Sequence, residues 1–172
     1  AYAHSATAPR LVEVFAINSQ EHGVTSIATG DVDGDGALEF VWGSGASSSG
    51  ADRLVVAGRN PTIAVEWMND DPQQLDATLI GAAIATIAPG QRRVLYASPS
   101  SNSGYGGMRL VALDPASGNF RISGEIGSNW SGNRALTAAD YDGDGIDEAL
   151  LASASTYDGF FAAYDFDRGV TE

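Results

Sequence analysis

Cysteine is absent from the chain. That excludes a disulfide framework and thiol chemistry, and it is compatible with an exported protein held together by metal. Basic residues are scarce: 9 Lys and Arg face 22 Asp and Glu, for a formal charge of −13. Nucleic-acid binding needs a basic face, and anionic membrane surfaces repel this sign of charge, so neither is expected as a partner. The same balance favours a bound cation. No apolar run approaches the roughly 20 residues of a membrane span, so membrane insertion is not expected. The chain does not open with a basic stretch followed by an apolar one. If the protein is exported, its signal is not among these residues.

Catalytic patterns are equally sparse. The two histidines, His4 and His22, fall in a polar arm and a turn, where a solvated side chain is a commoner role than a general base. No Gly-Lys-Ser/Thr phosphate loop occurs. Gly43-Ser44-Gly45-Ala46 lacks the strand-to-helix context of a nucleophile elbow. No catalytic residue is assigned, and the chain is not expected to be an enzyme. Helical periodicity is missing too. The nearest candidate, residues 80–88, is rich in β-branched side chains and reads as a strand.

What the sequence does contain is two acidic loops. One runs Asp31-Val32-Asp33-Gly34-Asp35-Gly36-Ala37-Leu38-Glu39 and the other Asp140-Tyr141-Asp142-Gly143-Asp144-Gly145-Ile146-Asp147-Glu148. Each carries carboxylates at positions 1, 3, 5 and 9. Intervening glycines let the backbone curl so that these groups converge, and converging carboxylates repel unless a cation sits among them. Hard oxygen donors at this density suit Ca²⁺, which takes about 6–8 oxygens. Two structural Ca²⁺ sites are therefore expected. The side-chain ligands are Asp31, Asp33, Asp35 and Glu39 in one, and Asp140, Asp142, Asp144 and Glu148 in the other. Ala37 and Ile146 each add a backbone carbonyl. An EF-hand would require a glutamate at position 12 and flanking helices, but Trp42 and Leu151 stand there. Short apolar runs follow both loops, so the pattern is loop then strand. A solvated acidic turn is the competing reading of either copy, and the recurrence of the pattern weakens it.

The loops belong to a larger repeat. The post-loop strands begin at Glu39, Arg93 and Glu148, at intervals of 54 and 55 residues. A fixed period with about four short strands per unit signals β-propeller blades. The fold class expected is all-β, with about three four-stranded blades forming part of a larger or intermolecularly completed propeller. Residues 1–10 read as a loose arm and 11–23 as a strand completing the last or a neighbouring blade. Residues 24–79 form a blade with an acidic loop, 80–133 a degenerate blade without one, and 134–172 a looped blade lacking its last strand. In the middle unit residues 87–93 replace the acidic loop with a short basic turn. Arg92 and Arg93 there either pair with nearby carboxylates or are simply solvated.

The two loops in their strand context, Ile27-Ala28-Thr29-Gly30 leading into Asp31 and Leu136-Thr137-Ala138-Ala139 leading into Asp140, resemble the FG-GAP/VCBS repeats of integrin α-subunit propellers and many secreted proteins. The resemblance implies Ca²⁺ in loops between the first two strands of a blade, at the ligand positions named above, with Asp147 competing with Glu148 in the second loop. It implies an extracellular or cell-surface module for adhesion, protein–protein interaction or self-association through blade edges. A lectin-like propeller binding glycan, and an accessory propeller of a secreted polysaccharide-active enzyme, are the alternatives. Aromatics near the Ser/Gly-rich hairpin tips, Tyr105, Tyr157, Phe160 and Phe161, would serve recognition. Trp42, Trp67 and Trp130 fit the core better. Asn129-Trp130-Ser131 matches an N-glycosylation acceptor.

Overall fold

A computed structural model describes residues 2–4, 11–13, 16, 24–44, 53–59, 62–68, 80–99, 108–124, 126, 133–154 and 159–171. Among them the chain is all-β, with no helix. A two-stranded hairpin pairs β1 (Tyr2–His4) with β2 (Leu11–Glu13). Three antiparallel four-stranded sheets follow, each a simple meander. Sheet 1 contains β3 (Val24–Gly30), β4 (Glu39–Ser44), β5 (Arg53–Arg59) and β6 (Ile63–Met68). Sheet 2 contains β7 (Ile80–Ala88), β8 (Gln91–Pro99), β9 (Met108–Leu113) and β10 (Phe120–Ile122). Sheet 3 contains β11 (Asn133–Ala139), β12 (Glu148–Ala154), β13 (Gly159–Asp165) and β14 (Val170–Thr171).

Two expectations about the termini are corrected. The third sheet has its fourth strand: Thr171 and Val170 pair with Tyr164 and Asp165. Two residues suffice because Asp165 organises a tight turn before them, its carboxylate accepting from the N–H groups of Asp167 and Arg168 at 2.6 and 2.9 Å. The N-terminal residues do not all form a loose arm, because β1 pairs with β2. Residues 11–13 of the 11–23 segment are thus occupied in that hairpin.

The sheets stack face to face in chain order. The central strand β7 packs against β3 on one side and β11 on the other. Alternation along each strand points successive side chains to opposite faces, and the repeat keeps that phase. Phe40, Val94 and Ala149, at equivalent positions, face away from sheet 2, toward sheet 1 and toward sheet 2 respectively. Val41 faces sheet 2 and Leu95 faces sheet 3. Their counterpart Leu150 lies on the far face of sheet 3, alongside Ala152, Ala163 and Phe161. Each sheet therefore offers one face to its predecessor and the other to its successor, the blade-like arrangement. The interface between sheets 1 and 2 buries Val32, Val41, Leu54, Val56, Val94, Tyr96, Val111 and Leu113. Full burial of such side chains is worth about 1.5–3 kcal/mol each. Tyr96 is completely buried, and its hydroxyl reaches the carbonyls of Trp42 and Val55 at 3.3 and 3.4 Å. Gly30 lets the inner strands approach closely: a Cβ there would lie 2.8 Å from Ile84 Cδ1.

Candidate metal centre

Both acidic loops join the first two strands of their sheets, β3 to β4 and β11 to β12. They fold through the same hydrogen bonds. Asp31 accepts from the N–H groups of Gly34 and Gly36 at 2.7 and 3.2 Å, and Asp140 from those of Gly143 and Gly145 at 2.7 and 3.0 Å. Asp33 accepts from Asp35 N–H and Asp142 from Asp144 N–H, both at 3.1 Å. Asp35 accepts from Ala37 N–H at 2.7 Å and Asp144 from Ile146 N–H at 2.8 Å. This winding needs left-handed backbone at Gly34, Gly36, Gly143 and Gly145, whose φ values are 83, 87, 82 and 91°. A side chain disfavours that region. The glycines of the motif are thus conformational, while Asp33, Asp35, Asp142 and Asp144 each hold one of these loop N–H groups with one oxygen and Asp31 and Asp140 each hold two, one on either oxygen.

The final glutamate closes each loop from the following strand. Glu39 is 3% exposed and accepts from Val32 N–H at 2.6 Å. Glu148 is fully buried and accepts from Tyr141 N–H at 3.2 Å. One carboxylate oxygen from each of Asp31, Asp33 and Glu39 lies within 4.8 Å of the other two, and the same holds for Asp140, Asp142 and Glu148. Each group is a cluster able to hold a cation. Asp35 and Asp144 lie outside these triads. Ala37 and Ile146 are fixed in the loop through their N–H bonds to those two aspartates.

Glu148 is the telling residue. Its Oε2 has the Tyr141 N–H, whereas its Oε1 is buried without a hydrogen-bond partner. A buried carboxylate with one oxygen unpartnered, in a cluster with two other carboxylates, is costly unless a cation completes it. The residues present fit a metal ion.

The electrostatics follow. Burial pushes the Glu148 carboxyl up from its ordinary value, against the opposing Tyr141 N–H, and Asp142 and Asp144 raise it further. Burial likewise raises Glu39, opposed by the Val32 N–H and reinforced by Asp33, Glu66 and Asp35. Glu66 is raised by burial, then by Asp33 and Asp35.

Asp147 and Glu148 have separate duties. Asp147 turns to sheet 2, where its carboxylate accepts from Thr86 N–H at 2.6 Å and its own N–H donates to Thr86 O at 2.8 Å. It clamps the loop to β7, leaving Glu148 to the triad. In the middle unit Pro89-Gly90 replaces the loop. Arg93, at the position of Glu39 and Glu148, pairs with Asp114 at 3.3 Å, so the pairing alternative holds for this arginine.

Two residues near the loops carry no sequence signal. Glu66, on β6, lines a cavity of about 180 Å³ with Asp33, Glu39 and Trp67. Arg168, in the β13–β14 turn, contacts Asp142 and Asp144 at 3.3 and 3.1 Å. Neither lies near the loop in sequence; only their membership of the same repeat unit hinted at proximity. Among the aromatics, Trp42 is buried and Trp67 packs against Gly118, while Phe161 is 70% exposed and Phe160 half-buried on β13. His22, Tyr105, Trp130, Tyr157 and the Asn129 acceptor lie outside the described residues, and His4 is described only as part of β1. No protein-family model matches the chain, and no curated protein or solved structure matches it either.

Proposed function

We propose that this chain is an extracellular, calcium-stabilised module of β-propeller type that serves adhesion, protein–protein contact or self-assembly, with no catalysis of its own. The observation that carries the reading is Glu148: it is fully buried, its Oε1 has no hydrogen-bond partner, and its carboxylate contributes an oxygen to the cluster with Asp140 and Asp142. Oxygen-only donors on a pliable glycine loop suit Ca²⁺ better than Zn²⁺, which favours nitrogen and sulfur ligands. The ion's part is structural: it ties the loop to the strand that follows. Exposed apolar side chains support a contact role. Ile27 and Phe161 are 62 and 70% exposed on strands of the two end sheets, and Leu38 is 59% exposed in the first loop. The lectin-like reading rests on hairpin tips that fall largely outside the described residues, and no observation favours it.

Calorimetric titration with CaCl₂, paired with thermal melts in CaCl₂ and in EGTA, tests the reading. A cation bound only by the folded state adds about 2.7 kcal/mol at a hundredfold excess over Kd. For a domain of this size two filled sites then raise Tm by roughly 10–20 °C. Absence of binding heat together with superimposable melts would overturn it.

A further inference from the structure

The second acidic loop is fastened outside its own sheet at Asp147. The strand it meets, β7, lies at the edge of sheet 2, and an edge strand presents backbone groups that its ladder leaves unpaired. Asp147 satisfies two of them at Thr86, taking the N–H with its carboxylate at 2.6 Å and giving its own N–H to the carbonyl at 2.8 Å. The carboxylate half of this clamp belongs to the residue and not to the loop motif: at the same position of the first loop stands Leu38, 59% exposed, whose side chain accepts no hydrogen bond. Asp147 and the buried Glu148 are consecutive and reach in different directions, one to sheet 2 and the other into the loop. The residues just before them are held by the loop's own aspartates. Asp140 accepts from Gly145 N–H at 3.0 Å and Asp144 from Ile146 N–H at 2.8 Å. A short, continuous series of bonds therefore runs from the acidic cluster to the edge of the neighbouring sheet.

From this juxtaposition, and resting on the cation site proposed above, we infer that Asp147 couples ion binding at the Asp140, Asp142 and Glu148 cluster to the joint between sheets 2 and 3. The cluster is more than a collection of acids, because Glu148 is fully buried, has one oxygen without a partner and contributes an oxygen to it. Asp147 is a positioning residue, since it touches Thr86 and not the ion. Without an ion, repulsion among the three carboxylates favours an opened loop, and opening moves the peptide that carries the clamp. An ion draws the carboxylates together and holds that peptide in place. By linkage, the clamp must favour the ion by the same factor as the ion favours the clamp. Couplings between sites typically amount to about 5–150-fold. Asp147 and Thr86 are only half-buried, which places this one near the lower end, at about 5–20-fold. The level of the ion then sets how firmly sheet 3 is docked on sheet 2.

Amide hydrogen exchange of the full chain in CaCl₂ and in EGTA, paired with calorimetric titration by CaCl₂, tests the inference. In wild type, CaCl₂ slows exchange of the Thr86 N–H by about 5–20-fold beyond its effect on the amides of β9. Asp140→Asn abolishes that extra protection together with one class of binding site. Asp147→Ala weakens the same class by about 5–20-fold. Asp147→Asn loses the same charge but keeps an acceptor for Thr86 N–H, so it weakens the class less, and the gap between the two variants measures the clamp. A staple with no link to the ion would lower Tm alike in both buffers and leave the two variants with equal Kd. If Asp147→Ala fails to melt cooperatively, Thr86 exchange in wild type and Asp140→Asn decides. Thr86 exchange indifferent to CaCl₂, equal Kd for the two Asp147 variants, or binding that Asp140→Asn leaves unchanged each overturns this inference while leaving the calcium reading intact. No binding heat and superimposable melts in wild type remove both.

Discussion

Replacing Glu148 by glutamine reverses the sign of its effect on stability according to whether a cation is present. Glu148 is fully buried, with one oxygen held by Tyr141 N–H and the other without a partner. In EGTA the wild-type loop keeps that unpartnered, charged carboxylate clustered with those of Asp140 and Asp142. Glutamine retains an acceptor for Tyr141 N–H, removes the negative charge and turns an N–H₂ donor toward those oxygens. Relief of an unsatisfied buried polar group is worth about 1–3 kcal/mol. For a domain of this length each kcal/mol moves Tm by about 2–4 °C. The variant should therefore melt roughly 2–12 °C above wild type in EGTA. In excess CaCl₂ wild type gains about 2.7 kcal/mol from this site at a hundredfold excess over Kd, and the variant forgoes most of it. The ranking inverts. Differential scanning calorimetry of both proteins in both buffers gives four melting temperatures. A variant that melts at or below wild type in EGTA refutes the account of Glu148 as a carboxylate waiting for a cation.

Other outcomes follow from the same geometry. Gly30→Val places a side chain against Ile84, so urea unfolding should show a loss of about 1–3 kcal/mol, much of it recovered in the Gly30→Val, Ile84→Ala double variant. A fully additive double variant would mean the two residues do not touch. Acidity should stabilise the chelated protein. Glu39, Glu66 and Glu148 have folded-state values raised above the ordinary 4.5, so the folded state binds more protons than the unfolded one between 4.5 and those raised values. Stability then falls as pH rises through that window. In EGTA, Tm should fall as pH rises from 4.5 through that window; a Tm that climbs there would contradict the raised values.

Much of this chain could be read without coordinates, for a local reason. The loops wind on bonds spanning two to seven residues, such as Asp31 to Gly34 and Glu39 to Val32, so their residue types and spacing specify them. The strands and the 54–55-residue recurrence were legible likewise, because alternation and turn chemistry act over a few residues. The register of Phe40, Val94 and Ala149 repeats because each sheet must present one face backward and one forward.

What escaped the sequence involves partners far along the chain. Adjacent carboxylates at Asp147 and Glu148 cannot be told apart by composition. The pleat sends one to Thr86, 61 residues away, and the other into the loop. Arg168 comes to the second loop from 24 and 26 residues downstream, and Glu66 comes to the first from a strand two hairpins on. The brevity of β14 depends on a turn held by Asp165. Residue order alone determined where carboxylates converge, since that takes only local backbone curvature. Tertiary packing decided which charges surround each cluster, because side chains distant in sequence become neighbours only after the sheets have stacked.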